Sequence, residues 1–296
     1  MKKIMVIGDL MLDEYIHGKV NRMSPEAPVP IVDLTHIDYR PGGAANVVMN
    51  CRSIDEETEI SIMGVVGDDD AGKQLKRLLL DKNINVDGIS TVPEVVTTVK
   101  TRVVADNKQM LRMDNQSNVD VSEYLKDIDL DVNVVVFSDY DYGVIDAGVI
   151  KDVLERNNDN FVVIADPKKR NFWHYGGVDI FKPNQIELWD ALRCKMSKST
   201  LDINEICSND LPVMMDELST IMPCNRYLVT AGKDGMMSYD SFTGKWEILD
   251  AVAEEVYDVT GAGDTVTAVL ADCVAEGISF EDAVNLSNYA AGKVVG

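Results

Sequence analysis

The sequence predicts a three-layer α/β fold, in which helices cover both faces of a mostly parallel sheet and a small second sheet forms a lid. Apolar, β-rich runs alternate with helix-like stretches along most of the 296 residues, which is typical of a parallel sheet. Two regions, 15–41 and 94–114, break this rhythm because they alternate as exposed strands do, and we expect them to build the lid. No repeat or flexible linker divides the chain, so residues 1–296 are expected to form one domain.

Each predicted strand is a short run of mainly β-branched and other apolar residues. These runs are Lys3–Ile7, Glu59–Val66, Asn133–Ser138, Phe161–Ala165, Val178–Phe181 and Arg226–Thr230. Helix-like stretches between these runs predict helices near Ala44–Ser53, Ala71–Asp81, Ala147–Asn157, Gln185–Leu192, Leu211–Ile221, Ala262–Glu276 and Phe280–Val294. The start of the chain, Met1–Gly8, is too short and too quickly polar for a signal peptide, and it is expected to be a buried first strand.

The composition indicates a globular, cytoplasmic protein. Hydrophobic residues make up 46% of the chain. No apolar run approaches the roughly 20 residues that a membrane span needs. The five cysteines are scattered and show no Cys-x-x-Cys spacing, which fits reduced thiols and argues against a zinc site or a disulfide framework.

The charge balance excludes some partners. The chain has 28 basic and 50 acidic residues, a net charge of −22. Such a field repels nucleic acid and anionic membrane surfaces, so we expect neither as a partner. It would also repel a sugar phosphate or a nucleotide, and a site for either therefore needs local basic residues and a metal ion. A solvated acidic surface that aids solubility is the simpler explanation for the charge.

The most informative run is Asp258-Val-Thr-Gly-Ala-Gly-Asp-Thr-Val-Thr267, at the start of a predicted helix. A helix N-terminus exposes unpaired N–H groups and binds anions, and Gly261 and Gly263 allow an anion to approach the backbone. Asp264 lies one turn into the helix, close enough to take a proton from a hydroxyl beside the anion. The run therefore indicates phosphoryl transfer to an alcohol. The alternative is a glycine-broken loop capped by an aspartate.

Two polar clusters follow strands in the first fifty residues. Ligands of open α/β sheets bind at the carboxyl ends of the strands. Asp13, shortly after the first strand, is a candidate acceptor for sugar hydroxyls, or the centre of an Asx turn or helix cap. Gly42 and Gly43 open a helix that contains Asn46, and this group could bind a polyol or phosphate through N–H groups and an amide. A plain turn is the alternative for the two glycines.

Two further clusters follow strands in the middle of the chain. Lys168 belongs to the run Asp166-Pro-Lys-Lys-Arg170, which could bind an anion or be a solvated loop. Asn184 and Glu187 are three residues apart, on one face of a first helical turn. Oxygen ligands in this arrangement suit a hydrated Mg²⁺ ion. The alternative for this pair is an N-cap with a capping-box glutamate.

A last cluster, Leu228-Val-Thr-Ala-Gly-Lys-Asp-Gly235, places Thr230, Gly232 and Gly235 at a strand end, where they suit a nucleotide phosphate or ribose. The chain contains no Walker A motif, and no Gly-x-Gly-x-x-Gly follows the first strand. A P-loop or dinucleotide-binding fold is therefore not expected.

The order of these clusters resembles that of the ribokinase-like (PfkB) sugar kinases, along essentially the whole chain. The motifs that carry the resemblance are Gly-Gly-x-x-Asn near residue 45, Asn-x-x-Glu near 185 and Asp-x-x-Gly-x-Gly-Asp near 260. The resemblance implies a Rossmann-like α/β sandwich with a β-sheet lid, and the transfer of a phosphoryl group from ATP to a sugar. It also implies a K⁺ ion near Asp258 and a homodimer formed by the lid strands, whose edges would otherwise be unpaired.

One branch of the family matches further. The runs Arg22–Val32, Arg40–Val47, Lys108–Asp114, Ser138–Tyr140 and Tyr257–Thr265 resemble those of heptose-7-phosphate kinases. These enzymes phosphorylate O1 of D-glycero-β-D-manno-heptose 7-phosphate on the route to ADP-heptose for lipopolysaccharide, and many are fused to a nucleotidyltransferase domain. The resemblance covers the kinase half of such fused proteins. It departs at Tyr142, where that branch usually has a lysine.

The resemblance implies roles for the candidate residues. Asp264 is the expected base, and the N–H groups of Gly261, Ala262 and Gly263 are expected to stabilise the transferred phosphoryl group. The expected sugar ligands are Asp13, Asn46, Gly42 and Gly43, and the expected phosphate ligands are Arg22, Arg112 and Lys168. We expect adenosine near Thr230, Gly232, Gly235 and Asn288, and Mg²⁺ at Asn184 and Glu187 through water.

Three other functions stay open at the level of sequence. A kinase of the same fold could act on another sugar or a nucleoside, which the tyrosine at 142 favours. A non-catalytic sugar-phosphate-binding protein would not need the base Asp264. A dehydrogenase would have to use the glycines as a dinucleotide loop.

Overall fold

The computed structural model describes residues 2–106, 108–116, 120–125, 127–196, 211–252 and 261–295. In chain order, its strands are β1 (Lys3–Gly8), β2 (Leu10–Met23), β3 (Pro30–Gly43), β4 (Glu59–Gly67), β5 (Ile89–Val92), β6 (Thr98–Ala105), β7 (Lys108–Asn115), β8 (Val134–Ser138), β9 (Val162–Asp166), β10 (Ile180–Phe181), β11 (Arg226–Thr230), β12 (Met236–Asp240) and β13 (Lys245–Leu249). Its longer helices are α1 (Ala44–Ile54), α2 (Asp70–Leu80), α3 (Ala147–Arg156), α4 (Gln185–Met196), α5 (Leu211–Ile221), α6 (Ala262–Ala275) and α7 (Phe280–Val295).

A nine-stranded sheet lies at the centre of the described part of the chain, in the order β13-β12-β11-β10-β9-β8-β1-β4-β5. The strands from β5 to β11 run parallel, and β12 and β13 add an antiparallel edge. This sheet confirms the predicted fold class. The sequence reading missed β5, β12 and β13, because these strands, towards the two ends of the sheet, mix polar and apolar residues and lack the continuous apolar run of a buried parallel strand.

Side chains of successive residues in β1 enter two separate cores. Ile4 and Val6 pack with α1, α6 and α7 on one face of the sheet. Met5 and Ile7 pack with α3, α4 and α5 on the other. This alternation follows from the two-residue period of a strand, and it confirms helices on both faces of the sheet.

The lid is a second sheet of four strands in the order β3-β2-β6-β7. The pairs β2–β3 and β6–β7 are antiparallel, whereas β2 and β6 are parallel. The lid begins at Leu10, five residues before the predicted region 15–41, because β2 continues almost directly from β1 through the single residue Asp9. The lid strand β2 therefore starts at the carboxyl end of a core strand.

Within the described residues, no helix combines the length and apolar character needed to cross a membrane.

Candidate active site

A cavity of about 710 Å³ lies at the carboxyl ends of β9, β10 and β11, against the N-terminus of α6. Most predicted residues from the middle and end of the chain line it. These are Lys168, Asn184, Glu187, Thr230, Gly232, Gly235, Gly261, Ala262, Gly263, Asp264 and Asn288. The cavity lies where ligands bind in open α/β sheets, and its volume is in the range typical of small-molecule sites.

Asp264 is held in the first turn of α6 by two side chains from distant parts of the chain. Asn46 Nδ2 donates to Asp264 Oδ2 over 2.7 Å, and the Tyr140 hydroxyl donates to Asp264 Oδ1 over 2.6 Å. Burial raises the pKa of Asp264, although both hydrogen bonds act in the opposite direction. A carboxylate fixed in position and more basic than usual is suited to accept a proton.

The N-terminus of α6 is shaped by Gly261. This residue is the N-cap and has φ of 85°, a left-handed conformation that glycine adopts without strain. A Cβ added there would lie 3.3 Å from Asn46 Nδ2. Among the described residues, no side chain caps this helix, so its first N–H groups are available to an anion in the cavity.

Asp9 holds the loop that carries Tyr140, and the sequence reading did not identify either residue's role. Asp9 is 1% exposed and accepts hydrogen bonds from the backbone N–H groups of Tyr140, Tyr142 and Val144. Burial and the neighbouring Asp139 raise the pKa of Asp9 to about 6. The only sequence signal for this contact is a polar residue directly after a buried strand.

Two lysines flank the cavity, and each is paired with a carboxylate. Lys182 is 2% exposed, and its Nζ lies 2.9 Å from Asp166 Oδ2. Lys168 pairs with Glu187. Although burial opposes the charge on Lys168, Asp166 and Glu187 raise its pKa, so it remains a cation. The sequence reading identified Lys168 but not the buried Lys182, which lies in the run it assigned to metal binding.

Asn184 and Glu187 form a reciprocal capping box at the start of α4. The N–H of Glu187 donates to Asn184 Oδ1 over 2.8 Å, and the N–H of Asn184 donates to Glu187 Oε2 over 2.9 Å. The N-cap with a capping-box glutamate, which the sequence left open as the alternative for this pair, is therefore present. Each oxygen still has a second lone pair, and both residues line the cavity.

The residues predicted for the nucleotide lie at the other end of the same cavity. Thr230 ends β11, and Gly232 and Gly235 belong to the turn that leads into β12. Gly235 has φ of 88°, and a Cβ there would lie 1.9 Å from Leu249 O, so only glycine fits. Asn288 in α7 donates to Asp250 O over 2.8 Å, which joins the helix to this end of the cavity.

The predicted sugar ligands lie where the lid joins the core. Asp13 in β2 is paired with Arg102 in β6. Gly42 lies so close that a Cβ there would be 2.5 Å from Asp13 Oδ2, and Gly43 has φ of 59°. The adjoining helix α1 brings Asn46 to Asp264.

Lys100 is a lid cation that the sequence reading missed. Its Nζ lies 5.4 Å from the centre of the Tyr142 ring and 5.6 Å from that of the Tyr140 ring. Burial lowers its pKa. Lys168 Nζ lies 5.6 Å from the centre of the same Tyr140 ring. A cation from β6 therefore stands beside position 142, where the sequence suggested that one had been lost.

The two arginines predicted to bind phosphate do not line the cavity. Arg22 is exposed near the far end of β2, nine residues beyond Asp13, roughly 30 Å along an extended strand. Within one chain, β2 thus carries Arg22 away from the core, and its contact with substrate stays a prediction. Arg112 in β7 is exposed and makes a bidentate pair with Asp114, with distances of 2.7 Å. Asp258, predicted to lie near K⁺, is outside the described residues.

The fold and the site define a class of protein. A three-layer α/β domain with a β-sheet lid holds a carboxylate at a free helix N-terminus, next to a cavity with paired lysines. The family model described as pfkB family carbohydrate kinase matches residues 1–296. The chain belongs to this family of carbohydrate kinases.

Curated relatives are similar over the full length of this chain. It is 37% identical over 307 residues to the bifunctional protein HldE of Helicobacter pylori strain P12, a match that covers 100% of this chain and 63% of the relative. It is 37% identical over 303 residues to the bifunctional protein HldE of Psychromonas ingrahamii, covering 99% and 60%. The chain thus spans about three fifths of the length of these relatives.

Solved structures share the fold at low identity. Arabidopsis thaliana ribokinase complexed with ribose and ATP has a TM-score of 0.72 and 20% identity, covering 100% of this chain and 93% of that one. Escherichia coli phosphofructokinase-2 in complex with fructose-6-phosphate has a TM-score of 0.73 and 17% identity, covering 100% and 94%. These likenesses confirm the ribokinase-like fold.

Proposed function

We propose that this protein transfers the γ-phosphoryl group of ATP to O1 of D-glycero-D-manno-heptose 7-phosphate. The observation that carries the kinase chemistry is the Asp264 carboxylate, held at the N-terminus of α6 by Asn46 and Tyr140. The heptose acceptor is supported by the sequence motifs shared with heptose-7-phosphate kinases and by the similarity to HldE proteins.

Asp264 would act as the general base. Its raised pKa makes it a better proton acceptor than an exposed carboxylate, and the two hydrogen bonds fix its direction. The N–H groups of Gly261, Ala262 and Gly263 would stabilise the charge on the transferred phosphoryl group, where the helix dipole also favours an anion. Lys182 lies close to this point, because a Cβ on Gly263 would be 3.9 Å from its Nζ.

ATP would occupy the cavity, with its adenosine near Thr230, Gly232, Gly235 and Asn288. The oxygens of Asn184 and Glu187 suit Mg²⁺ bound through water, since each keeps a free lone pair at the cavity wall. The ion would neutralise charge on the phosphate oxygens. K⁺ near Asp258 stays a prediction.

The lid supports a phosphorylated acceptor. Strand register places its charged residues on one face, with Asp13 beside Arg40 and Lys100, and with Arg102 beside Arg112. This basic cluster is unusual in a chain with a net charge of −22. Burial lowers the pKa of Lys100, and a bound phosphate would offset the cost of holding that charge away from water.

The opposite face of the lid supports a homodimer. Register places Ile16 beside Ile37 and Val103, and Leu111 beside Val103. Ile37, Leu111 and Met113 are 39%, 51% and 48% exposed. A second copy of the lid would cover this apolar face. Sedimentation of the wild type and of Leu111→Glu tests the dimer. If the lids form the interface, the variant dissociates at a higher protein concentration than the wild type.

An ADP-release assay with MgATP and a panel of acceptors tests the proposed reaction. The panel contains D-glycero-D-manno-heptose 7-phosphate, sedoheptulose 7-phosphate, fructose 6-phosphate, fructose, ribose and adenosine. We expect turnover confined to the heptose phosphate, with O1 phosphorylation read from the product by ³¹P NMR. ADP release without any phosphorylated sugar would contradict the kinase assignment.

A kinase of an unphosphorylated sugar is the second candidate. Tyr142 favours it, because its half-buried ring stands where heptose-7-phosphate kinases usually have a cation. Turnover with fructose or ribose and not with the sugar phosphates would keep the chemistry of Asp264 and replace the acceptor.

A further inference from the structure

A cluster of three metal-ligand side chains lies on the lid, away from the cavity. His17 in β2 faces His36 in β3 across an antiparallel pair, and Asp38 is two residues from His36 on the same face. Their ligand atoms all lie within 4.8 Å of one another. Two of the three histidines in the sequence thus meet one carboxylate.

The distances suit a tetrahedral ion. His17 Nε2 lies 3.2 Å and His36 Nε2 lies 3.6 Å from Asp38 Oδ2. Ligands at about 2.0–2.1 Å from a tetrahedral Zn²⁺ ion are separated from one another by roughly 3.3 Å. The two imidazole rings are stacked, with centroids 4.4 Å apart and planes at 6°. Binding therefore requires His36, whose side chain is 59% exposed, to turn out of the stack.

The surrounding hydrogen bonds prepare the imidazole nitrogens. The Thr35 hydroxyl donates to His17 O over 2.9 Å, so Thr35 Oγ1 can accept from His36 Nδ1, which lies 3.3 Å away. This hydrogen bond favours the neutral His36 tautomer with its proton on Nδ1, which leaves Nε2 to ligate once the ring turns out of the stack.

His17 Nε2 itself lacks a satisfied hydrogen bond. It is buried from solvent, and among the described residues it has no partner with hydrogen-bond geometry, although Asp38 Oδ2 lies at a suitable distance. A buried ring nitrogen without a partner is costly, and an ion placed between it and Asp38 would remove that cost. The ladder also shifts register between His17 and Gly18, and such bulges redirect side chains.

We propose that His17, His36 and Asp38 form a site for a divalent transition-metal ion of the Zn²⁺ type, with water completing its coordination. Two imidazoles and one carboxylate form a donor set that zinc accepts with an open fourth position. The cysteine spacing gave no sign of such a site, because its ligands are histidines paired across two strands. The ion would join β2 to β3 next to Tyr15, whose ring stacks on His17 at 6.2 Å.

Calorimetric titration of chelator-treated protein with ZnCl₂ tests this site, in the absence of nucleotide and with thiols blocked by alkylation. We expect one Zn²⁺ per chain in the wild type, and at least a tenfold weaker affinity in His17→Ala and in Asp38→Asn. His174→Ala is the matched control, since it removes the remaining histidine outside the cluster and should leave the affinity unchanged.

Cobalt provides a second measurement. Co²⁺ bound to the wild type should give the intense visible absorption of a four-coordinate ion, and His36→Ala should abolish it. The proposal is overturned if the wild type binds no stoichiometric Zn²⁺, if His174→Ala weakens binding as much as His17→Ala, or if bound Co²⁺ has the weak spectrum of an octahedral ion.

Discussion

The two walls of the active site differ in how their charged groups are held. On the core wall, Asp264 and Lys182 are 7% and 2% exposed, and each is fixed by side chains from distant strands and helices. On the lid wall, every residue of β7 is exposed, and Arg112 pairs with Asp114 on the same strand. The core wall is therefore organised before a ligand arrives, whereas the lid wall would gain its final geometry by closing over one.

This difference separates two kinds of effect. Groups that are already oriented towards the reacting atoms stabilise the transition state without reorganisation, so changes in the core wall should lower kcat. We expect groups on the lid to contact the substrate when it binds, so changes there should raise KM.

The largest effect is expected for Asp264→Asn. Loss of a general base typically costs about 10²–10⁴-fold in rate. We expect kcat to fall by this factor in the ADP-release assay, with an unchanged melting temperature. Asp272→Asn, at the other end of α6 and outside the cavity, should retain turnover. Near-normal turnover of Asp264→Asn would show that another group takes the proton.

A second prediction concerns how the buried carboxyl of Asp9 changes the free energy of unfolding with pH. Burial and Asp139 raise its pKa to about 6, so its contribution to stability is present at acidic pH and is lost as pH rises through about 6. In Asp9→Asn that loss should disappear, so from pH 5 to pH 8 the variant should gain about 1.4 kcal/mol of stability relative to wild type, which corresponds to the one pKa unit between pH 5 and the pKa of Asp9. Denaturant unfolding at both pH values measures the difference, and parallel changes in the two proteins would contradict it.

On the lid wall, Lys100→Met should raise KM for the phosphorylated acceptor. A hydrogen bond to a charged group contributes about 1.5–3 kcal/mol, which corresponds to roughly tenfold or more in KM. We expect kcat to stay within about threefold of wild type if the lysine only binds. Lys108→Met on the neighbouring strand is the control. An equal loss in kcat would place Lys100 at the reacting atoms instead.

The smallest effect is expected for Tyr140→Phe. The Tyr140 hydroxyl lowers the pKa of Asp264, so its removal should raise that pKa. Because the base must be ionised, activity falls as pH falls through this pKa, and the acidic limb of kcat/KM should move to higher pH. A net hydrogen-bond contribution of about 1 kcal/mol corresponds to a shift of roughly 0.5–1 pH unit. A shift to lower pH would contradict the assignment of this limb to Asp264.

Much of the fold could be predicted because its signals are local. The helix α5 and the strand β11 have the predicted bounds, and other core strands differ by a few residues at their ends. The run around Gly261 predicted a helix N-terminus, because a glycine there permits the left-handed backbone and the close approach of an anion. Local signals failed at β5, β12 and β13, which mix polar and apolar residues.

The sequence also determined which residue types lie at strand ends, and so most of the predicted cavity lining. It did not determine their partners. Tyr140 and Asn46 meet Asp264 across 124 and 218 residues of chain. Lys100 reaches Tyr142 only because β6 pairs with β2 in one register. His17 and His36 meet across a ladder in the same way.

The physical reason for this division is the range of the forces involved. Hydrophobic period, glycine conformation and capping act within a few residues, so the sequence alone carries them. Strand order, register and burial depend on the packing of the whole chain. Only the tertiary structure therefore decided that Arg22 lies far from the cavity, that Lys100 stands beside Tyr142, and that the pKa of the buried Asp264 is raised.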